Sequence, residues 1–290
     1  MNTLKNLLIA FCLLSSLMAC EQVIELDVPN RETGLVVDGL VVDDPGRTRV
    51  VLTNSSRVND QAPTPRVSGA QVSIVEQEQN LTEILRETQP GSGTYVPTTA
   101  NFRGRVGSSY RLVITLPNGS VYESEVEPLA PITPIDSIYS KPRTDAERTD
   151  KDTGAPLYDV FIDITDPLNE KNFYRFEYLI NGILGPDLSD RFGITRDELY
   201  NGQSLKGAIS FRNSQTVKGA KAKVEMYSIS KGAYNYYSLI GRQIFNGGPF
   251  ATPPEPLRGN IYLRGNRNKT AFGYFAASAV TASSVVVGRE

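Results

Sequence analysis

The feature that most constrains this chain is a series of short runs rich in β-branched residues, separated by residues that favour turns. In the first half these runs lie at residues 35–42, 48–53, 70–75, 94–96, 110–115 and 120–126. Asn118-Gly119 separates the last two runs, and this dipeptide between alternating segments is the strongest short-range signal of a β-hairpin. Short strands with turns about every ten residues are typical of a β-sandwich. Residues 21–130 are therefore predicted to form an N-terminal β-sandwich.

Glycine-led segments introduce several of these runs. They are Gly69-Ala70-Gln71-Val72, Gly93-Thr94-Tyr95 and Gly107 to Leu112. Their pattern resembles immunoglobulin-like and transthyretin-like modules. The resemblance implies a module that acts as a spacer or as a docking platform.

The second half of the chain is predicted to form another β-rich domain, sandwich-like or barrel-like, over residues 157–290. Residues 131–156, which precede it, are interpreted as a Pro-rich hinge and an exposed polar loop, because prolines stiffen the chain and remove backbone donors. Alternation of apolar and polar residues predicts strands within the domain. They are expected at residues 158–165, 173–178, 205–211, 220–227, 260–264, 270–276 and 284–288. The fold class is therefore mainly β.

One α-helix is predicted inside this second domain, at about residues 230–246. Ser230 can act as its N-cap, and Ile229 before the cap can pack on Tyr234. Asn246-Gly247-Gly248-Pro249 ends the helical pattern. The apolar residues that recur at helical spacing, and so are expected to face the core, are Ala233, Tyr237, Ile240 and Ile244.

The first twenty residues have the order of a lipoprotein signal peptide. Lys5 is followed by an apolar run, Leu7 to Leu14, that is too short to cross about 30 Å of hydrocarbon as a helix. Leu17-Met18-Ala19-Cys20 resembles the lipobox of bacterial lipoproteins, in which the cysteine is acylated and becomes the mature N-terminus. We expect Cys20 to carry the lipid, since two or more acyl chains anchor a protein stably. The alternative is an ordinary signal peptide with a chance cysteine after it.

Residue types that are absent exclude several kinds of chemistry. The 290 residues contain no histidine, and the only cysteines are Cys12, within the signal, and Cys20. Histidine-dependent triads, imidazole zinc sites, disulfides and thiol nucleophiles are thereby excluded from the mature chain. The net charge of −2 gives no electrostatic reason to expect nucleic-acid binding. We expect no enzymatic activity, no metal and no cofactor.

Two groups of acidic residues can be interpreted either as a functional site or as ordinary solvent-exposed residues. Asp159, Asp163 and Glu177 lie on the polar faces of two strands expected to form a hairpin, so they could form the carboxylate cluster that glycoside hydrolysis requires. The plain interpretation is that they face solvent. Asp150 to Gly154 has part of the pattern of a calcium loop but lacks its distal glutamate, which favours a solvated loop.

Aromatic residues in and after the helix are the candidate contact with a partner or ligand. They are Tyr234, Tyr236, Tyr237 and Phe250. Only one face of such a helix can enter a core, and tyrosine is enriched at binding hot spots. We therefore predict that Tyr234, Tyr236 and Phe250 contact a partner or ligand. The alternative is that these rings line the seam between the two domains.

Several further segments carry a resemblance to one family. They are Ile24-Glu25-Leu26-Asp27, Leu35-Val36-Val37-Asp38-Gly39, Ile135-Asp136-Ser137-Ile138, Tyr236-Tyr237, Pro249-Phe250, Pro253-Pro254, Gly259-Asn260-Ile261 and Gly273 to Ser278. Together with the lipobox they resemble the Bacteroidota lipoprotein family called domain of unknown function 4249, over nearly the whole mature chain. The resemblance implies an accessory of TonB-dependent outer-membrane transporters, which are generally encoded beside members of the family. The family has no established catalytic residues, so none is carried over.

Acidic residues soon after the lipidated cysteine, here Glu21 and Glu25, favour export to the cell surface in this phylum. We therefore expect an outer-membrane lipoprotein that faces the cell exterior and helps a TonB-dependent transporter capture a ligand. One alternative is a structural or envelope-assembly lipoprotein without a small-molecule ligand. A more distant alternative is a carboxylate-based glycoside hydrolase.

Replacing Cys20 with serine tests the anchor. Cys20→Ser is expected to leave the protein outside the membrane fraction or as an uncleaved precursor, because the sequence has no apolar stretch long enough to span a membrane. The measurement is fractionation of the cell envelope followed by immunoblotting. Cys12→Ser is the control and should fractionate like the wild type. Normal outer-membrane fractionation of Cys20→Ser would show that the interpretation of the signal is wrong.

Overall fold

The structure, a computed structural model, describes residues 34–289 except 57–62, 146, 169, 186–189, 192, 198–201 and 246–256. Within these ranges the chain is mainly β with one complete α-helix, α1 (Lys231–Phe245), as the sequence predicted. They belong to one compact unit, Thr33–Glu290. No helix in the described ranges is long and apolar enough to cross a membrane.

Within the part of the chain that the structure describes, the strands fall into three sheets. In chain order they are β1 (Leu35–Val42), β2 (Arg49–Asn54), β3 (Gln71–Glu76), β4 (Leu81–Glu87), β5 (Thr94–Pro97), β6 (Ser109–Thr115), β7 (Val121–Ser124), β8 (Glu127–Pro128), β9 (Ile135–Pro142), β10 (Leu157–Thr165), β11 (Phe173–Ile180), β12 (Ile183–Leu184), β13 (Gly193–Arg196), β14 (Ser204–Val217), β15 (Lys221–Ser228), β16 (Ile261–Leu263), β17 (Asn266–Thr270), β18 (Phe272–Ser278) and β19 (Val280–Val286).

The largest sheet has 11 strands in the order β17-β16-β7-β6-β3-β4-β5-β2-β1-β18, with β8 paired to β6. β1 and β18 are parallel, and the other pairs are antiparallel. β6 and β7 form the hairpin predicted at Asn118-Gly119, where Gly119 has a φ of 84° that suits glycine. Alternate side chains of β1, such as Leu35, Val37 and Val41, enter the core, as the period of two predicts.

The two ends of this sheet meet, which makes it nearly barrel-like. The Asn260 side chain accepts a hydrogen bond from Phe275 N at 2.9 Å and donates to Phe275 O at 2.8 Å. Because a primary amide carries a donor and an acceptor side by side, the Asn260 side chain makes the two hydrogen bonds to Phe275 that the backbone of a neighbouring strand would make. The backbones approach closely: a Cβ on Gly259 would lie 1.8 Å from Gly273 O, so only glycine fits there.

The middle of the chain forms two smaller sheets that share a core. One is three-stranded, in the order β14-β10-β9, and the other is five-stranded, β12-β11-β15-β19 with β13 on β11. Apolar side chains of both sheets contribute to one buried cluster. Within it, the Phe211 ring of β14 stacks on the Tyr178 ring of β11 with 5.3 Å between centroids. Such a pair of facing sheets is sandwich-like.

The predicted boundary between two domains lies near a change of core but not at a break in the sheets. Leu129 belongs to the core of the large sheet, whereas Val160 belongs to the core of the smaller sheets. Residues 131–156, predicted as a hinge and loop, contain β9, which pairs with β10 from Ile135 to Pro142. Strands β16–β18 return from the second half to the first sheet. The division into two domains therefore stays a prediction.

Helix α1 begins as predicted. Ser230 Oγ accepts a hydrogen bond from Ala233 N at 3.0 Å, which is an N-cap. Ile229 and Tyr234 belong to the same apolar cluster, and Ala233 is fully buried. Ile244 was expected on the buried face but is 40% exposed, because only the first turns of the helix lie over the sheets.

Replacing Asn260 tests the closure of the sheet. Asn260→Ala is expected to lower the free energy of unfolding by roughly 2–4 kcal/mol, because the N–H and C=O of Phe275 lose their partners in a buried place. Urea unfolding followed by circular dichroism measures the change. Asn268→Ala, at an exposed position of β17, is the matched control and should change stability little. Equal stability of the two variants would mean that the amide does not hold the sheet closed.

Candidate functional site

The structure describes only some of the residues predicted to form a site. Cys20 and Phe250 lie outside the described residues, so nothing is added to those two predictions. Tyr234 and Tyr236 lie on α1 and are half-buried. The Tyr234 ring lies 5.2 Å from that of Phe173, and the Tyr236 ring lies 5.0 Å from that of Tyr274. Their role as partner or ligand contacts stays a prediction, and Tyr236 also lines a pocket.

The hairpin expected between the strands that carry Asp159, Asp163 and Glu177 is wrong, and with it the alternative interpretation of these acids as a carboxylate cluster. β10 pairs with β9 and β14, whereas β11 pairs with strands of the five-stranded sheet. Asp159 and Glu177 each accept a hydrogen bond from a neighbouring arginine at 2.7 Å, and Asp163 accepts one from a serine at 2.7 Å. Alternation identified both strands correctly but carries no information about which strands pair.

Asp150 to Gly154, predicted as a solvated loop rather than a calcium site, is held by hydrogen bonds within the loop. Oδ1 of Asp150 accepts hydrogen bonds from the backbone N and the Oγ1 of Thr153, at 2.8 and 2.7 Å. In the part of the chain that the structure describes, no three acidic, histidine or cysteine side chains are grouped so that they could hold a metal ion.

A pocket of about 430 Å³ opens beside the first turns of α1. Its walls come from four segments: α1 itself, residues 258–260 before β16, Tyr274 of β18, and the acids Glu125 and Glu127 at β8. The closure of the large sheet creates this arrangement, because Asn260 brings residues 258–260 against β18. The N-cap of α1 then places the helix start over the same point.

Glu127 is the buried charged group of this pocket, with 4% of its surface exposed. Its Oε1 accepts hydrogen bonds from the Tyr274 hydroxyl at 2.6 Å and from Asn260 Nδ2 at 3.1 Å. Its Oε2 is buried and has no hydrogen-bond partner among the described residues. A buried acceptor without a partner costs about 1–3 kcal/mol, and more when the group is charged. The arrangement fixes the carboxyl group in place and leaves one oxygen unused.

Burial raises the pKa of Glu127. Donors on the nearby Tyr274, Ser230 and Asn260 side chains oppose this rise, and the charge of nearby Glu125 adds to it. Burial and the adjacent Glu127 in turn raise the pKa of the Tyr274 hydroxyl, so this group stays a hydrogen-bond donor at neutral pH. Burial also raises the pKa of Tyr236, to about 12.

A second pocket, of about 440 Å³, provides an internal comparison. It is lined by another buried acid, Glu83, which is 8% exposed. Both oxygens of Glu83 are used: Oε1 accepts from the backbone N atoms of Thr98 and Thr99 at 2.7 and 2.9 Å, and Oε2 accepts from Thr99 Oγ1 at 2.6 Å. Glu83 therefore fastens a turn, whereas Glu127 has an oxygen that no turn uses.

The pocket brings together segments that are far apart in the sequence. Tyr236, the tripeptide from Gly259 and the segment from Gly273 were among those that carried the family resemblance, and all of them reach this place. Comparison with known families gives a match to the one described as "Domain of unknown function (DUF4249)", over residues 21–284. The chain belongs to this family. No curated protein matches the chain.

Sequence reasoning missed Glu127. The only signal in the sequence was that Glu127 lies between Val126 and Pro128, which are both apolar. Alternation that starts from the buried Ser124 predicts burial of residue 126 and exposure of residue 127. The break of register between β7 and β8 turns Glu127 inwards.

The raised pKa of Glu127 predicts how its replacement by glutamine depends on pH. In the unfolded chain a glutamate titrates near pH 4.3, and folding moves this titration to a higher pH. The folded protein therefore loses stability as the pH rises through that window, because ionisation of the buried carboxyl opposes folding. Glu127→Gln stays neutral, so its melting temperature relative to the wild type should be higher at about pH 8 than at about pH 5.

Thermal unfolding at both pH values measures this difference. Glu125 and Arg258 line the same pocket in both proteins, so the two proteins differ only in the group at position 127 and in its interaction with Glu125. The tyrosines Tyr236, Tyr237 and Tyr274 have raised pKa values and do not titrate in this range. A difference in melting temperature that does not change with pH would contradict the assignment of a raised pKa.

Proposed function

We propose that this protein is an outer-membrane lipoprotein, anchored through Cys20 and facing the cell exterior, that captures a small ligand for a TonB-dependent transporter. Membership of the DUF4249 family and the lipobox before Cys20 support the anchor and the association with a transporter. The observation that carries ligand capture is the pocket beside α1, which is lined by Tyr236, Tyr274 and the acids Glu125 and Glu127. A purely structural or assembly lipoprotein has no need of such a pocket.

The position of the pocket suits an accessory role. Its walls are held by the closure of the sheet and by the start of α1, which are regular elements, so the polar groups are fixed before a ligand arrives. Tyr236 lies on the wall and is half-buried, so part of its ring can contact a ligand while another part contacts solvent. Capture without chemistry requires only such a preformed, partly open site.

A second candidate function is hydrolysis, because two carboxyl groups line this pocket. Glu127, with its raised pKa, would be the acid, and Glu125 would be the ionised partner. Glu125 is exposed and forms an ion pair with Arg267 at 2.8 Å, which makes it a poor nucleophile. Release of free sugar from an added glycoside by the wild type, but not by Glu127→Gln, would favour this function over capture.

Recovery of a partner from membranes tests the proposed function. The tagged protein, purified from detergent-solubilised outer membranes, is expected to bring down a TonB-dependent transporter. Tyr236→Ala is expected to recover about tenfold less transporter, since truncation of a tyrosine at a binding hot spot lowers affinity by about this factor or more. Tyr139→Ala is the matched control, because Tyr139 is also half-buried and stacks on a ring, but lies on β9.

The melting temperature of each variant separates binding from folding. Loss of transporter with an unchanged melting temperature supports a contact at Tyr236. A lowered melting temperature with full recovery of transporter would mean that Tyr236 belongs only to the packing around Tyr274. Absence of any transporter from the wild-type sample would argue against the proposed function itself.

A further inference from the structure

We propose that the second pocket, at the place in the large sheet where β3 ends and β4 begins, binds a monocarboxylate that carries an apolar chain. Its lining shares no residue with that of the pocket beside α1, so this site goes beyond the proposed function. Three properties of the pocket support it: the partners of its charged side chains, the apolar surface beside them and the fixed backbone around Arg103.

Three of the four charged side chains in the wall already have partners. Both oxygens of Glu83 accept hydrogen bonds from the turn that it fastens. Glu76 accepts a hydrogen bond from Ser108 Oγ at 2.7 Å and forms an ion pair with Arg105. Arg103 is the fourth, and it has no hydrogen bond or ion pair with the described residues. The charged group left open in this wall is therefore a donor, which selects a ligand that accepts.

Arg103 is accessible to a ligand, and its chemistry selects a carboxylate. It lies at an exposed position, whereas Glu76 and Glu83 are only 7% and 8% exposed. A guanidinium group presents a planar fork of donors that matches the two oxygens of a carboxylate. One cation compensates one negative charge, and the two buried acids nearby would repel the second charge of a phosphate dianion. The wall therefore favours a single carboxylate.

The apolar surface in the same wall suits a hydrocarbon chain. Leu81 is 54% exposed, although it lies on the face of β4 whose next residues are buried. The half-buried Phe102 and the buried Ile74 and Tyr110 also line the pocket. A chain that covers Leu81 and Phe102 removes apolar surface of both partners from water, which favours binding.

The backbone around Arg103 is fixed before a ligand arrives. The N–H of Gly104 donates to Val42 O at 2.8 Å, and the N–H of Arg105 donates to the Tyr110 hydroxyl at 2.7 Å. Both bonds tie the segment that carries Arg103 to regular strands or to the residue before β2. Binding therefore has to order only the Arg103 side chain, and not the loop, which lowers the entropic cost.

Titration of small probes into the mature full-length protein in a non-ionic detergent tests this site. The probes are butyrate, the cation n-butylammonium, the neutral n-butanol and acetate, which has the carboxylate without the chain. Backbone amide signals of Thr82 and Asn101 report binding by NMR, and Gly232 reports on the pocket beside α1. A ligand with so few atoms is expected to bind with a Kd of about 1–10 mM. Butyrate should bind at least about tenfold more tightly than each of the other probes.

Two pairs of variants identify the groups that bind. Arg103→Gln should weaken butyrate binding about tenfold or more. Arg86→Gln is its matched control, because Arg86 is also exposed, has no ion pair with the described residues and lies on β4 outside the pocket. Leu81→Ser should weaken butyrate binding about threefold, since the chain loses apolar contact. Ile84→Ser is its control, because Ile84 is 62% exposed on the other face of β4.

Equal binding of butyrate and n-butanol would overturn the role of the carboxylate, and equal binding of butyrate and acetate would overturn the role of the chain. Equal weakening by Arg103→Gln and Arg86→Gln would mean that surface charge in general, and not this pocket, attracts the anion. Shifts confined to Gly232, or no shifts with butyrate at about 100 mM, would also overturn the site. The comparison of the probes on the wild type needs no variant, so it remains decisive if a variant does not fold. The proposed function concerns the other pocket and a transporter, so it stands or fails separately.

Discussion

The side-chain amide of Asn260 is the contact on which both the closure of the large sheet and the shape of the pocket depend. Its oxygen and one of its N–H groups bond the backbone of Phe275, and its nitrogen also donates to Glu127. A backbone strand could provide the first two bonds but would have no donor left for Glu127. Because one side chain does both, the place where the sheet closes is also the place where a carboxyl group is held under the helix.

Charged groups beside Tyr237 of α1 provide a contrast to Glu127. The Arg175 guanidinium lies 4.5 Å from the Tyr227 ring centroid and donates to Glu177 at 2.7 Å. Glu225 accepts a hydrogen bond from Tyr227 at 2.8 Å, and its hydrogen bonds to Lys223, Tyr227 and Arg47 outweigh burial and lower its pKa. Charges there are matched with opposite charges, so each buried charge has an ionic partner. At Glu127 the partners are neutral groups, so burial prevails and the pKa rises.

The sequence predicted elements better than it predicted their partners. Alternation located β1, β10 and β11 correctly, and the N-cap at Ser230 located α1. Alternation specifies which face of a strand is buried, but the pairing of β10 with β9 and β14 depends on contacts distant in sequence. The parallel pairing of β18 with β1 likewise depends on contacts that are distant in sequence, so alternation could not predict it.

The candidate site was predicted only in part, for a related reason. Tyr236 could be named because helical spacing shows which tyrosines cannot share one buried face. Glu127 could not be named, because its burial follows from a register break between two short strands and from the closure by Asn260. An unused carboxyl oxygen is a property of three-dimensional contacts and leaves no pattern in a sequence.

The presence of a carboxylate at position 127 is not explained by folding alone. A glutamine could accept the same hydrogen bonds from Tyr274 and Asn260, without an ionisable group that burial disfavours. The two larger apolar cores give the fold the means to tolerate such a cost. Natural proteins keep groups that lower stability chiefly where function uses them. The ionisable carboxyl group at position 127 is therefore the feature of this pocket that hydrogen bonding within the fold does not account for.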